Sequence, residues 1–389
     1  MAIPTDPSAL GGQEEPVSES AAPPPAPEAD GGGGTHDVVA GVTGELARIV
    51  EPEPGPDEFI LHPGLGGMVP PASALPQDVL PTDRLLANGK AVPAIRAELR
   101  QIPNLRAGFA VAWLWIETLG IIALAAWLAH PLAYAVAFLL MGRAYVRFNI
   151  LGHEAVHRTL FSNKKLNDFV GKWVLSYHAW VPFELYRRGH INHHRDEMGP
   201  KEPDTALYAG YPITRASLRR KLIRDATGQS GWKILKGLLR GTRNPRTRPV
   251  ALRILGAQVV LLAIATALGR PELWLLLWFA PWMTMWRVTN RLRAIAEHAG
   301  MTRSKDRRET THHVEQGLLA RFWMVPYSVG WHLAHHVDMG IPCWNLRKQH
   351  EELVNAGWVT PEYVWPSYTA LWKALSARPE PAAAAEAAA

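Results

Sequence analysis

Three histidine clusters are the part of this sequence whose residue types and spacing could support chemistry. His153 and His157 form the pattern HxxxH, and residues 190–194 and 332–336 each form the pattern HxxHH. Residues three or four positions apart share one face of a helix, so each cluster is predicted to point two or three imidazoles the same way. Imidazole binds iron, zinc, copper and nickel, so the clusters predict a metal site without naming the metal.

The number of histidines narrows the kind of metal centre. A structural zinc ion takes four protein ligands and a catalytic zinc ion about three, so eight clustered histidines suit two ions better than one. A pair of irons that shares electrons could support cleavage of O2 and attack on an aliphatic C–H bond, provided that an apolar wall shields the site. The chain has one cysteine, Cys343, which excludes an iron–sulfur cluster and an internal disulfide. Cys343 is predicted to be a small buried apolar residue.

Apolar residues make up 48% of the 389-residue chain, and they are bunched into long runs. Residues 107–129, interrupted only by Glu117, are long enough to cross a membrane, and further spans are predicted at 132–150, 251–268 and 273–288. The turns at residues 130–131 and 269–272 are too short to hold a domain. The sequence therefore predicts an all-α integral membrane protein with four transmembrane helices in two hairpins.

The basic residues predict how this bundle is oriented. The net charge of +6 could suggest nucleic acid, but lysines and arginines are concentrated between the second and third spans. The positive-inside rule places that segment in the cytoplasm, together with both termini and all three histidine clusters. The clusters are thus predicted to lie in a cytoplasmic helical cap, and the membrane is expected to be a bacterial inner membrane.

The regions outside the spans have distinct compositions. Residues 1–56 are rich in Pro, Gly, Ala and Glu and are predicted to be a disordered tail rather than a signal peptide. Residues 57–104 are interpreted as a cytoplasmic, amphipathic lead-in to the membrane, and residues 105–366 as the catalytic domain. Residues 367–389 are predicted to be a C-terminal tail that becomes Ala-rich and disordered at its end.

The three clusters and their spacing resemble those of the membrane fatty acid desaturase family, which includes related lipid hydroxylases and carotenoid ketolases. The resemblance covers roughly residues 105–355, and it implies a cytoplasmic di-iron centre with one further histidine after the fourth span. The implied metal ligands are His153, His157, His190, His193, His194, His298, His332, His335 and His336.

Some assignments stay open at this point. His312 and His313 compete with His298 for the ninth ligand position, but neighbouring helical residues point about 100° apart, and the family likeness favours His298. Asp204 follows the second cluster and could orient a ligand through its other ring nitrogen, or it could be a turn residue after Pro203. Glu154 and Glu297 each adjoin a ligand and are further candidates for this supporting role.

The resemblance implies an oxidase that uses O2 and two electrons to introduce a double bond into a fatty acyl chain. Hydroxylation of a lipid or ketolation of a carotenoid are alternatives on the same scaffold, and metal transport is a remote alternative outside enzymes. The electrons are expected from a ferredoxin or a cytochrome b5-type donor with its reductase. The basic segment between Lys164 and Arg248 could bind an acidic donor, although the positive-inside rule alone also explains its charge.

Overall fold

The structure is a computed structural model that describes residues 64–200 and 202–379. Within those ranges the regular elements are helices, and β-pairing is limited to two isolated bridges, Leu85 with Ala91 and Val314 with Trp365. The all-α prediction is therefore confirmed. The tail predicted at residues 1–56 lies outside the described residues, as does the Ala-rich end from residue 380.

The helices are numbered in chain order. The first half of the described chain contains α1 (Pro93–Leu99), α2 (Asn104–Leu128), α3 (Pro131–His157), α4 (Lys164–Phe169), α5 (Phe183–Arg195), α6 (Thr205–Tyr208), α7 (Arg215–Ala226) and α8 (Gln229–Gly241). The second half contains α9 (Arg248–Ala267), α10 (Pro271–Trp274), α11 (Ala280–Met283), α12 (Met285–His298), α13 (Arg307–Thr310), α14 (Leu318–Trp323), α15 (His332–Val337), α16 (Leu346–Asn355) and α17 (Tyr368–Leu375). Two π-helical segments lie at Val170–Ser176 and Leu275–Phe279, and 3₁₀ turns lie at Ala72–Ala74, Pro326–Ser328, Cys343–Asn345 and Pro361–Tyr363.

Three helical segments are long and apolar enough to cross a membrane. They are Pro93–Leu128, which contains α1 and α2, then Pro131–His157 and Arg248–Ala267. Only 22% of the most apolar window of α9 is buried inside the protein. Its outward side chains include Val259, Val260 and Ile264, each more than half exposed. A long apolar surface of this kind is typical of helices that face lipid.

The charge of Glu117, which interrupts the first predicted span, is paired within the α2–α3 hairpin. Glu117 on α2 forms ion pairs with Arg143 and Arg147 on α3, and the Nε of Arg147 also donates to the hydroxyl of Tyr327 at 2.8 Å. Charges inside an apolar bundle are costly unless they are paired. The ion pairs therefore join the two helices along the faces that they bury against each other.

The region predicted as a fourth span is built from shorter pieces. Residues 271–283 run through α10, a π-helical segment and α11, and Thr284, with φ −126° and ψ −80°, breaks the path before α12. Pro281 lacks a backbone N–H and cannot continue the helical ladder, which fits the wider π turn just before it. The four-span arrangement consequently remains a proposal, since three segments among the described residues meet the length and apolarity expected of a span.

The predicted lead-in helix is also interrupted. The helical spacing of Ile95, Leu99, Ile102 and Leu105 predicts an interfacial helix that leads into the membrane, but α1 ends at Leu99 and α2 begins at Asn104, after Pro103. The basic side of α1 has a clear role, because Arg96 and Arg100 both pair with Asp338, at 2.6 Å and 2.5 Å. Through these ion pairs, α1 fixes the position of Asp338, which immediately follows α15.

Candidate metal centre

Five of the predicted ligands form one group of imidazoles. Each has a ring nitrogen within 4.8 Å of the others, and they come from α3, α5 and α15: His153, His157, His190, His194 and His335. Their Nε2 atoms follow one another at 3.2 Å (residues 153 and 157), 2.9 Å (157 and 190) and 3.1 Å (190 and 194).

The remaining four predicted ligands form a second group beside the first. His193, His298 and His336 share a common neighbourhood of 4.8 Å, and the Nε2 of His332 lies 3.0 Å from the Nε2 atoms of both His298 and His336. The two groups meet where the rings of His194 and His336 stack with their centroids 4.3 Å apart. Nine imidazoles are thus divided five and four.

Each HxxHH cluster contributes two imidazoles to one group and the third to the other, so two of its three histidines point the same way. The i, i+4 pairs His190/His194 and His332/His336 stay together, whereas His193 and His335 each turn to the other group. Adjacent residues on a helix are separated by about 100°, so the doubled histidine faces two directions at once. A doubled histidine at the end of each cluster therefore suits a centre with two ions.

Hydrogen bonds fix the protons of two rings and leave their Nε2 atoms bare. The Nδ1 of His298 lies 2.9 Å from the carbonyl oxygen of Thr310, and the Nδ1 of His336 lies 2.5 Å from Oε1 of Glu197. Both oxygens can only accept, so we infer that each Nδ1 carries the hydrogen of a neutral ring and each Nε2 presents a lone pair. Both lone pairs face the single Nε2 of His332, which can donate to only one of them. A cation between these atoms would remove the remaining repulsion.

The spacing of the nitrogens also suits a metal ion. Metal–imidazole bonds of about 2.0–2.1 Å at right angles would separate neighbouring nitrogens by roughly 3 Å. The measured Nε2–Nε2 separations are 2.9–3.2 Å. In addition, both ring nitrogens of His335 are buried and have no hydrogen-bond partner among the described residues. The donor set present in both groups therefore fits metal ions.

Two carboxylates that were not predicted from the sequence support the ligand rings. Glu202 accepts from the Nδ1 of His193 at 2.5 Å, and Glu197 does so from His336. Outer carboxylates of this kind fix the ring orientation and raise the basicity of the ligating nitrogen. The available signal was the acidic stretch at residues 196–204, of which only Asp204 was predicted to have this role.

Burial and these carboxylates shift the protonation of the rings in opposite directions. Burial works to lower the pKa of His193, but the charge and hydrogen bond of Glu202, together with the charges of Glu197 and Asp204, outweigh it and raise that pKa to about 9. Burial is the main cause of a lowered pKa at the other ligand rings of α5 and α15, namely His190, His194, His332, His335 and His336. A lowered pKa keeps an imidazole neutral, which is the form that binds metal.

The three predicted supporting carboxylates lie near the histidines in different ways. Glu154 is 3.7 Å from the Nδ1 of His153, and its Oε2 accepts from the backbone N–H of Cys343 at 3.0 Å. Glu297 lies 3.7 Å from the Nδ1 of His332 and pairs with Arg293 at 2.7 Å. Asp204 lines the cavity beside the histidines, and its backbone N–H donates to Glu202.

The histidines that competed for the ninth position lie elsewhere. The Nε2 of His312 is 2.8 Å from the carbonyl oxygen of Ala299, and the His313 ring stacks on His350 and Trp331 with centroids 4.6 Å and 5.5 Å away. Neither belongs to the two groups of imidazoles. His298 is the residue that the structure brings to them, and Cys343 is fully buried, as predicted.

A cavity of about 90 Å³ lies beside both groups of histidines. Its aromatic wall consists of Trp180, Tyr186, Tyr208, Trp282 and Trp286. Its polar lining other than the histidines consists of Asn149, Asp204, Arg287, Asn290, Arg293 and Glu297. The site therefore combines buried nitrogen ligands with an adjoining space that large aromatic side chains enclose.

The sequence profile described as fatty acid desaturase matches residues 125–368, a range that contains all nine histidines. The chain belongs to the fatty acid desaturase family. This agrees with the predicted family, and desaturases of this family are oxidoreductases of lipid metabolism, which places the chain in that broad class.

Individual desaturases and ketolases show how far the similarity extends. The chain is 24% identical to dihydrorhizobitoxine desaturase of Bradyrhizobium elkanii over 55% of this chain and 66% of that protein. It is also 24% identical to sn-1 oleoyl-lipid 12-desaturase of Anabaena variabilis, over 60% and 71% of the two chains. Zeaxanthin 4-ketolase of Chlamydomonas reinhardtii is 33% identical, but over only 20% of this chain and 18% of the ketolase.

Proposed function

We propose that this protein is a membrane-bound di-iron oxidase that introduces a double bond into a fatty acyl chain. The observation that carries the proposal is the division of nine imidazoles into two adjoining groups, of five and four, each with nitrogen spacings that suit one ion. The reaction removes two hydrogen atoms from neighbouring carbons. O2, two electrons and two protons complete the balance, and two molecules of water are formed.

The nine histidines would hold the two irons, and the irons would supply the activation of O2. Glu197 and Glu202 would keep the rings of His336 and His193 in their ligating orientation through the Nδ1 atoms. The aromatic side chains around the cavity would hold the alkyl part of the substrate and exclude water from the reacting carbons.

The proposed setting is a bacterial inner membrane with four spans in two hairpins and the histidines in the cytoplasmic cap. Three apolar segments support the membrane location. The α14 helix adds an interfacial surface, because Leu318 and Leu319 are 84% and 77% exposed. A segment with this apolar exposure suits contact with lipid better than contact with water.

The proposed electron donor is a ferredoxin or a cytochrome b5-type protein with its reductase. Exposed cations on α7 and α8, including Arg219, Arg220, Lys236 and Arg240, support binding of an acidic donor. Arg187 has a different role within the same basic segment, because it pairs with Asp168 at 2.6 Å and donates to the carbonyl oxygen of Ala155 at 2.8 Å.

Hydroxylation or ketolation is the second candidate reaction, since both would need the same metal ligands. The short match to zeaxanthin 4-ketolase supports it. The longer matches are to proteins named as desaturases, which favours removal of hydrogen over addition of oxygen. Transport of a metal ion is disfavoured, because a transporter needs its polar ligands near the middle of the membrane.

The test compares lipids of cells that express the protein with those of cells expressing His335→Ala, both with a ferredoxin and its reductase. Mass spectrometry should detect species two mass units lighter than their precursors, present only with the unchanged protein. Products heavier by one oxygen would assign a hydroxylase, and oxygenated carotenoids a ketolase. Purified protein that binds no iron, with activity unaffected by His335→Ala, would contradict a di-iron oxidase of any kind.

A further inference from the structure

Arg287 differs from the other buried arginines in having no carboxylate partner. Four arginines of the described chain are buried, and three form ion pairs: Arg147 with Glu117, Arg291 with Asp225, and Arg308 with Asp306. Arg287 is only 8% exposed. No carboxylate among the described residues lies within 4 Å of its guanidinium.

The contacts of Arg287 leave most of its hydrogen-bonding capacity to the cavity. Its Nε donates to the carbonyl oxygen of Trp282 at 3.0 Å, and its guanidinium carbon lies 4.8 Å from the Trp282 ring centroid and 5.9 Å from that of Trp286. These contacts orient the side chain without neutralising it. A buried cation without a carboxylate in contact is costly, and in a membrane protein such a residue commonly marks a binding site.

Arg287 shares one cavity and one helix face with the metal ligands. The cavity wall includes His193, His298 and His332 as well as Arg287. Arg287 and His298 are eleven residues apart on α12, which is about three turns, so the two side chains project from the same face. The separation corresponds to roughly 16 Å along the helix axis.

The lining of this cavity is partly polar, whereas the tail of a hydrocarbon would require an apolar surface. Asn149 and Asn290 line it together with Arg287. A planar guanidinium held by aromatic rings binds an oxyanion through charge and paired N–H donors. A neutral hydrocarbon would leave this charge buried and unpaired.

We infer that Arg287 binds an oxyanion of the substrate in this cavity, about three helical turns from His298. The substrate class is then an aliphatic acid or a phosphoester that carries an aliphatic chain, rather than a neutral carotenoid. The inference rests on the proposed function, because it takes this cavity as the place where the substrate lies during oxidation. Carboxylate is the preferred group, since it is the smaller oxyanion and matches the guanidinium with two parallel hydrogen bonds.

Binding of short probes tests this inference without turnover. Calorimetric titration of the purified, iron-loaded full chain in nanodiscs would compare hexanoate, hexanamide and hexyl phosphate. Hexanoate should bind at least tenfold more tightly than hexanamide, and Arg287→Met should remove this preference. Tighter binding of hexyl phosphate than of hexanoate would support the oxyanion site and assign it to a phosphoester.

Controls separate a lost contact from a lost fold. Arg287→Lys keeps the cation and should still favour hexanoate, while Arg240→Met removes an exposed arginine of α8 and should bind all three probes as before. Equal binding of hexanoate and hexanamide by the unchanged protein would overturn the inference, as would full retention of the preference in Arg287→Met.

Iron content and lipid products of the same preparations distinguish this inference from the proposed function. If the protein desaturates lipid but shows no preference for hexanoate, the anion site is refuted and the proposed function stands. If the protein prefers hexanoate but forms no oxidised lipid, the anion site stands and the proposed function is refuted.

Discussion

Oε1 of Glu197 lies 2.5 Å from the Nδ1 of His336, although 139 residues separate the two in the sequence. Glu197 also pairs with Arg307 at 2.6 Å and accepts a hydrogen bond from the hydroxyl of Thr310. The carboxylate therefore connects the segment after α5 to α13 and α15. It holds the ring of His336 with Nε2 directed at the other imidazoles.

Substituting Glu197→Gln should weaken metal binding while leaving the fold intact. The amide keeps the size of the side chain but loses the charge that accepts from His336 and pairs with Arg307. Outer residues of this kind typically change metal affinity by about 10–100-fold. Iron titration of the purified protein would measure the change, with Glu272→Gln as the control because its ion pair with Arg270 is exposed. Equal iron affinity in the two variants would refute the supporting role of Glu197.

His298→Ala and His312→Ala should differ in bound iron. His298 lies 3.0 Å from His332 within the second group of imidazoles, whereas His312 contacts the carbonyl oxygen of Ala299 instead. Iron analysis should give a reduced metal content for His298→Ala and full occupancy for His312→Ala. The reverse result would transfer the ninth ligand position to His312.

Gly171→Ala should destabilise the fold next to the first histidine cluster. A Cβ at residue 171 would lie 2.6 Å from the Cβ of Ala155 and 2.7 Å from a ring carbon of Phe183. Such overpacking typically costs about 1–3 kcal/mol, and at this position it presses on α3 between His153 and His157. Thermal unfolding would show a lower midpoint, together with reduced iron binding.

Gly256→Ala is the matched control for this glycine. It lies on α9 with nothing within 4 Å of the added Cβ, and alanine is the better helix former. Its unfolding midpoint should therefore not fall. If the two alanine variants unfolded at the same temperature, the close packing at Gly171 would not contribute to the stability of the fold.

The ion pair of Asp168 with Arg187 should make stability depend on pH. Burial acts to raise the pKa of Asp168, but hydrogen bonds from Arg187 and Asn167, together with the charges of Arg187 and Arg158, outweigh it and lower that pKa to about 2. Because the folded pKa lies below the unfolded value of about 3.9, the carboxylate stabilises the fold above roughly pH 4. That contribution is lost as the pH falls towards 2.

Asp168→Asn should accordingly lower the unfolding midpoint at pH 7 and have a shrinking effect as the pH approaches 3. Thermal unfolding in detergent at several pH values would measure the difference. Glu351→Gln serves as the control, because its pair with Arg347 is more than half exposed on both sides and should contribute little at any pH. A difference that persists undiminished at pH 3 would show that Asp168 acts by something other than its charge.

The spacing of the histidines was sufficient to predict the main elements of the candidate site. Apolar runs predicted α2, α3 and α9 to within a few residues at most ends, because length and composition govern long apolar helices. The His157 end of α3 was the exception, since the helix continues past the apolar run and carries the first cluster. Local spacing could not assign His193 and His335 to opposite groups, because that depends on how α5 and α15 are rotated against each other.

The supporting carboxylates were harder to predict for a similar reason. Four acids lie between residues 196 and 204, and nothing in their order distinguishes Glu197 and Glu202 from Asp204. Tertiary contacts make the choice, since Glu197 meets a histidine from a distant cluster. The break at Thr284 could likewise not be predicted from the apolar run. Pro281 was its only marker in the sequence, and proline is tolerated in membrane helices.

The distribution of the ligands along the chain has a consequence for biosynthesis. His153 and His157 lie on α3, whereas His332, His335 and His336 lie on α15, about 180 residues later. At roughly 5–20 residues per second, translation of that interval takes roughly 10 to 40 s. Neither group of imidazoles can be complete until α15 has left the ribosome, so neither proposed metal site has its full set of ligands before the apolar helices have been synthesised.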